Sequence, residues 1–77
     1  MLIYGTMQCP DCVECCKHLD AAGKEYTFLE FSDNLKHLKD FLKIRDTSPV
    51  FDAVRQEGKI GIPCIIADDG SVSLTWQ

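Results

Sequence analysis

Apolar positions change period several times along the chain, and each change marks an element boundary. Leu2-Ile3-Tyr4 is a short continuous apolar run ending at Gly5, the pattern of a buried strand. From Pro10 the period becomes helical: at about 100° per residue, Cys12, Cys15, Leu19 and Ala22 share one stripe, with Glu14, Lys17, His18 and Ala21 opposite. Cys9-Pro10 marks its start, because proline at the first helical position loses no hydrogen bond, and Gly23 supplies the stop. Tyr26 to Phe31 alternates again and predicts a second strand. Ser32 or Asp33 is the expected cap of a second helix with Leu35, Leu38, Phe41 and Leu42 on its apolar stripe. Ser48-Pro49 opens a short third helix carrying Val50, Phe51 and Val54 and stopping near Gly58. Cys64 to Ala67 reads as a buried strand, Asp69-Gly70 as a hairpin turn, and Val72 to Thr75 as the return strand.

The predicted order is β-α-β-α-α-β-β, without linker, repeat or low-complexity segment. The first two strands must be parallel with a right-handed crossover, and the last two form an antiparallel hairpin. A mixed four-stranded sheet with helices on its faces accommodates this order. Seventy-seven residues correspond to one domain, 1–77. Such a chain buries only about 60% of its unfolded surface, so its core must be nearly gap-free.

Composition narrows the function classes. With 45% apolar and 26% charged residues, the chain has globular rather than disordered composition. The longest apolar run, Ile60 to Ala67, is interrupted by Pro63 and falls well short of the roughly 18 residues of a membrane span. Met1-Leu2-Ile3-Tyr4 has neither the positive flank nor the long apolar stretch of a secretory signal, so a cytoplasmic protein without membrane partner is expected. A net charge of −4 argues against a nucleic-acid partner, which demands a basic footprint.

The anomaly is five cysteines: Cys9, Cys12, Cys15, Cys16 and Cys64. An odd number, with four of them within eight residues, is unlike a secreted disulfide framework. A Cys-x-x-Cys pair opening a helix directly after a strand is a redox signature. Cys9 precedes the first helical residue, where the Asp11 and Cys12 amides and the helix dipole favour thiolate over thiol. Cys12 is covered one turn further in, so Cys9 is expected to attack and Cys12 to resolve. Cys9 lies outside the regular helix and can close the Cβ gap a disulfide needs, whereas Cys12 with Cys15 or Cys16 would distort an established turn. Asp11 opposes the thiolate through like charge. In Gly61-Ile62-Pro63-Cys64 the proline must begin a strand. A cis Ile62–Pro63 bond would leave the Ile62 N–H and C=O free to pair with an extended peptide; an ordinary trans proline is the alternative.

A short strand, then Cys9-Pro10-Asp11-Cys12, a helix, and later Gly61-Ile62-Pro63 before an apolar strand resembles a glutaredoxin-like member of the thioredoxin fold. The small glutaredoxin-related proteins are the better match, and the likeness covers nearly the whole chain in element order. It implies a three-layer α/β fold lacking a long C-terminal helix, with Cys9 as nucleophile, Cys12 as resolving thiol and Pro63 as a cis-proline facing them. Thr6, Pro10, Asp11, Ile62 and Pro63 are the implied substrate contacts. The implied activity is thiol–disulfide exchange on protein or small-molecule disulfides by a monomer. No bound cofactor is implied; the electron donor would be glutathione or a thioredoxin-reductase-type enzyme. Three positions depart from the family: Thr6 where a lysine is common, Asp11 where an aromatic is common, and Ser73-Leu74 where a Gly-Gly pair is usual.

Two other function classes stand beside this one. Cys9, Cys12, Cys16 and Cys64 could offer four thiolates to zinc or an iron–sulfur cluster. Alternatively, the fold could serve as a non-catalytic binding module, with Lys36, Lys39 and Lys43 along one flank of the second helix. Cys15 is expected in the core and Cys16 partly exposed at the stripe's edge. Cys64 is expected to begin a core strand, or else to lie near Cys9. Neither His18 nor His37 has ligand partners at useful spacing. Trp76 and Tyr26 are expected to cover the sheet or its edge.

Overall fold

Strand β1 (Leu2–Gly5) is apolar on both sides, and the structure places it inside the sheet rather than at an edge. It pairs in parallel with β2 (Thr27–Glu30), in the register Ile3 to Phe28 and Tyr4 to Leu29. Helix α1 (Pro10–Ala21) makes the crossover that a parallel pair requires. On its other side β1 runs antiparallel to β3 (Cys64–Ile66), with Tyr4 opposite Cys64, and β3 pairs with the short β4 (Val72–Ser73). The strand order is β2-β1-β3-β4. Helix α2 (Leu35–Thr47) is followed by a 3₁₀ turn, Pro49–Phe51, that runs directly into α3 (Asp52–Gln56). The computed structural model describes residues 1–76; Gln77, the last position of the expected domain, lies outside them.

Strand alternation divides the core into two clusters, one on each face of the sheet. Ile3 and Ile65 point towards α1 and pack with Cys15 and Leu19, flanked by Tyr26, Phe28 and Trp76. Tyr4 and Cys64 point the other way and pack with Phe41 of α2 and Phe51 before α3. The Phe41 ring lies 5.9 Å from Phe51, edge-on, and 5.1 Å from Phe31, so this face is an aromatic stack. The protein is thus an α/β domain with a mixed four-stranded sheet between α1 and the α2–α3 pair. Among the described residues, no helix is long and apolar enough to cross a membrane.

Several local expectations are corrected. Asn34, not Ser32 or Asp33, caps α2: its side chain accepts the N–H groups of Lys36 and His37. Ser32 is already engaged, its N–H and hydroxyl both donating to Glu30. Leu35 and Leu42 stay exposed, at 64% and 40%, so the buried stripe of α2 is centred on Phe41. On α1 the exposed Ala22 leaves the stripe and Cys16 joins it, 6% exposed rather than partly open. Tyr26 explains that burial, since its side chain reaches back to Cys16 and donates to Asp20 Oδ1 at 2.9 Å. Strand β4 ends at Ser73 instead of Thr75 because Ser73 Oγ captures the Thr75 N–H at 3.1 Å and turns the chain out of the ladder.

Candidate active site

The turn leaving β1 carries Thr6, Met7 and Gln8 to the mouth of α1, and Cys9 is the residue immediately before the helix. Its backbone is extended (φ −94°, ψ 123°), as an N-cap requires, and Pro10 follows as the first helical residue. The expected bond from the helical amides to the Cys9 sulfur is not made. The Cys12 and Val13 N–H groups donate instead to the Cys9 carbonyl, at 3.1 and 3.2 Å. The Cys9 side chain is half-buried at the edge of a groove.

Cys12 lies one turn behind and is completely buried. Gly5 makes room for it: a Cβ on Gly5 would lie 2.6 Å from Cys12 Sγ, so only glycine lets the helix close against β1 here. Burial pushes the Cys12 thiol up to about 12, partly offset by a backbone hydrogen bond from Thr6 and reinforced by the charge and hydrogen bonding of the adjacent Cys9. Cys9 thus lies close enough to Cys12 to influence its thiol. All five cysteines are free thiols. Burial also pushes Cys15 and Cys64 up to about 11.

The groove encloses about 620 Å³. On the side of the cysteine pair it is bordered by Thr6, Gln8, Cys9 and Asp11; on the other side it is bordered by Val54, the segment from Gly58 to Ile62, and Leu74. That segment is fixed from behind. Arg45 donates from Nε to the Ile60 carbonyl at 2.9 Å and from Nη2 to the Lys59 carbonyl at 2.8 Å. Gly61 adopts φ +89°, and a Cβ there would meet the Phe51 ring at 2.6 and 2.8 Å. The Ile62–Pro63 peptide bond is cis. Pro63 itself is buried and lines a smaller neighbouring cavity of about 230 Å³ with Asp11, Leu74 and Trp76.

Of the residues singled out from sequence, Thr6, Cys9, Asp11 and Ile62 meet at one groove, with Cys12 behind and Pro63 beside it. Pro10 stands exposed at the helix start and borders neither cavity. Cys64 is not near Cys9: β3 turns it into the aromatic cluster across the sheet from α1. The four thiolates of the metal reading therefore do not converge, and no group of three or more metal-ligating side chains occurs among the described residues.

Glu30 is the site residue that sequence reasoning missed. Located at the end of β2, it accepts the Met7 N–H at 2.9 Å with Oε1 and the Ser32 N–H and hydroxyl at 3.2 and 2.9 Å with Oε2. Burial alone would raise its carboxyl, but hydrogen bonds from Met7, the Thr6 side chain and Ser32 overcome that and hold it at about 2.

A protein of Haemophilus influenzae (strain Rd), described only as uncharacterized, is 33% identical to this chain over 73 residues, covering 95% of the chain and 85% of that protein. The chain belongs to that protein's family. No family model and no solved structure matches it. The relative's description gives no activity, so a functional reading must come from the site itself.

Proposed function

We propose that this protein is a thiol–disulfide oxidoreductase, a glutaredoxin-like member of the thioredoxin fold. One observation carries the reading: two thiols three residues apart at a helix mouth, one open to a groove and the other buried directly behind it. Cys9, at the helix N-terminus, is the thiol that the groove reaches. Its thiolate attacks a substrate disulfide, giving a Cys9–substrate mixed disulfide and releasing one substrate thiolate. Cys12 then attacks Cys9 Sγ, closes the Cys9–Cys12 bridge and releases the second thiolate.

The elevated Cys12 thiol fits this order. Besides burial, part of its elevation comes from the neighbouring Cys9 sulfur, and that part vanishes once Cys9 is held in a mixed disulfide. Cys12 thus becomes easier to deprotonate at the step that needs it. The groove beside Cys9, with Ile62 ahead of the cis bond, accommodates the substrate chain. A cytoplasmic thiol donor, either two molecules of glutathione leaving as glutathione disulfide or a thioredoxin-reductase-type enzyme, would return the bridge to two thiols.

The test is turnover of a disulfide substrate with each donor supplied separately. Cys9→Ser is expected to abolish reduction, and Cys12→Ser to accumulate the mixed disulfide on Cys9, visible by mass spectrometry. Normal turnover by Cys9→Ser would end this reading.

A further inference from the structure

The Cys9 turn has few apolar anchors: Met7 is 47% exposed, and Gln8 and Pro10 are also open to solvent. Its fixed points are polar. The Cys9 N–H donates to the Thr6 carbonyl at 3.0 Å and the Gln8 N–H to Thr6 Oγ1 at 3.2 Å, which shape the turn internally. Neither bond ties the turn to the rest of the protein. Glu30 does, accepting the Met7 N–H at 2.9 Å from a strand 23 residues away in sequence. The carboxylate is itself held by Ser32 and by the β2 backbone, which continues as the Phe31 N–H to Gly5 carbonyl bond at 3.0 Å.

We propose that Glu30 is the positioning residue of the dithiol centre: its carboxylate fastens the Thr6–Gln8 turn and so holds Cys9 Sγ within reach of Cys12. This assignment rests on the dithiol reading above and deepens it. Cys12 is locked against Gly5, and Cys9 is joined to the same helix through its carbonyl, which accepts the Cys12 and Val13 N–H groups; drift on the Thr6–Gln8 side of the turn therefore swings Cys9 Sγ about that attachment and lengthens the gap between the sulfurs. Ring closure is the step that feels such a gap, because intramolecular attack depends steeply on alignment. Attack by Cys9 on an external disulfide is less affected, since the incoming molecule adjusts its own position.

A stoichiometric aromatic disulfide such as dithiobis(nitrobenzoate) separates the two steps. The first coloured thiolate reports formation of the Cys9 mixed disulfide; the second reports its displacement by Cys12, leaving the Cys9–Cys12 bridge. Two full-length variants distinguish reach from charge. Glu30→Gln keeps one oxygen acceptor, which can stay on the Met7 N–H while its amide nitrogen faces Ser32 and gives up that N–H bond; it is expected to release the second thiolate within about threefold of the native rate. Glu30→Asp keeps the charge but falls a methylene short of Met7, and its second release is expected to slow about tenfold while the first is little changed. A merely structural role would lower the unfolding temperature of Glu30→Asp without separating the two phases. Native-rate second release by Glu30→Asp, or equal slowing in both variants, overturns the assignment to Glu30 while leaving the dithiol reading intact. A native protein that releases only one thiolate overturns both.

Discussion

The Thr6–Cys9 turn and the Gly58–Ile62 segment border the same groove, yet they are held by different forces. The first, which carries the nucleophile, is tied down by hydrogen bonds, from the Met7 N–H to the Glu30 carboxylate and from the Cys12 and Val13 N–H groups to the Cys9 carbonyl, with little burial. The second rests on the Phe51 ring and is clamped by the Arg45 guanidinium on two consecutive carbonyls. Polar ties are worth about 0.5–1.5 kcal/mol each in net stability, whereas a buried aromatic ring contributes several times that. The wall opposite Cys9 should therefore respond to mutation mainly through stability, and the turn carrying Cys9 mainly through chemistry.

Phe51→Ala breaks this contrast most severely. The ring is completely buried against Phe41 and Gly61, and its removal is expected to lower stability by about 3–5 kcal/mol in chemical denaturation. A loss under about 1 kcal/mol would mean that packing does not hold this wall. Next comes Gly61→Ala, which combines a left-handed backbone with overlap on the Phe51 ring; the expected loss is about 2–4 kcal/mol. An alanine variant as stable as the native chain would contradict the close approach. Arg45→Met removes both carbonyl bonds and should cost about 1–2 kcal/mol, with hydrogen exchange at the amides of 59–62 accelerating more than elsewhere. Uniform exchange would show that the clamp is not local.

A further effect concerns acid. Glu30 is held at about 2, below its ordinary 4.5. A depressed carboxyl stabilises the folded state fully above 4.5, and that contribution fades as pH falls through 4.5 and is gone below about 2. Comparing the native protein with Glu30→Gln, the stability difference should shrink between those values. A constant difference across that window would show that the carboxylate gains nothing from its amide partners.

The elements themselves were legible wherever local chemistry decided them. Pro10 at the first helical position, Gly23 (φ +70°) and Gly58 (φ +72°) after helices, and Gly70 (φ +87°) in the hairpin all lie where the sequence pattern puts them. Cys9, Cys12 and the Gly61-Ile62-Pro63 stretch were likewise readable as short motifs. What escaped was set by contacts between distant segments. Glu30 resembles any polar residue at the end of a strand until Met7 is brought to it. Asn34 displaces Ser32 as the α2 cap only because Glu30 has claimed Ser32. Cys16 is buried by Tyr26 from beyond the helix, and the side of the sheet that Cys64 faces follows from its antiparallel register with Tyr4, which no local pattern states.

Timed alkylation of the reduced native protein at neutral pH, followed by peptide mapping, tests most directly whether one exposed thiol is backed by a buried partner. Cys9 should be modified at least about tenfold faster than Cys12, Cys15, Cys16 and Cys64, which become accessible only through opening of the fold. Equal rates at all five, or faster modification of any cysteine other than Cys9, would contradict the account.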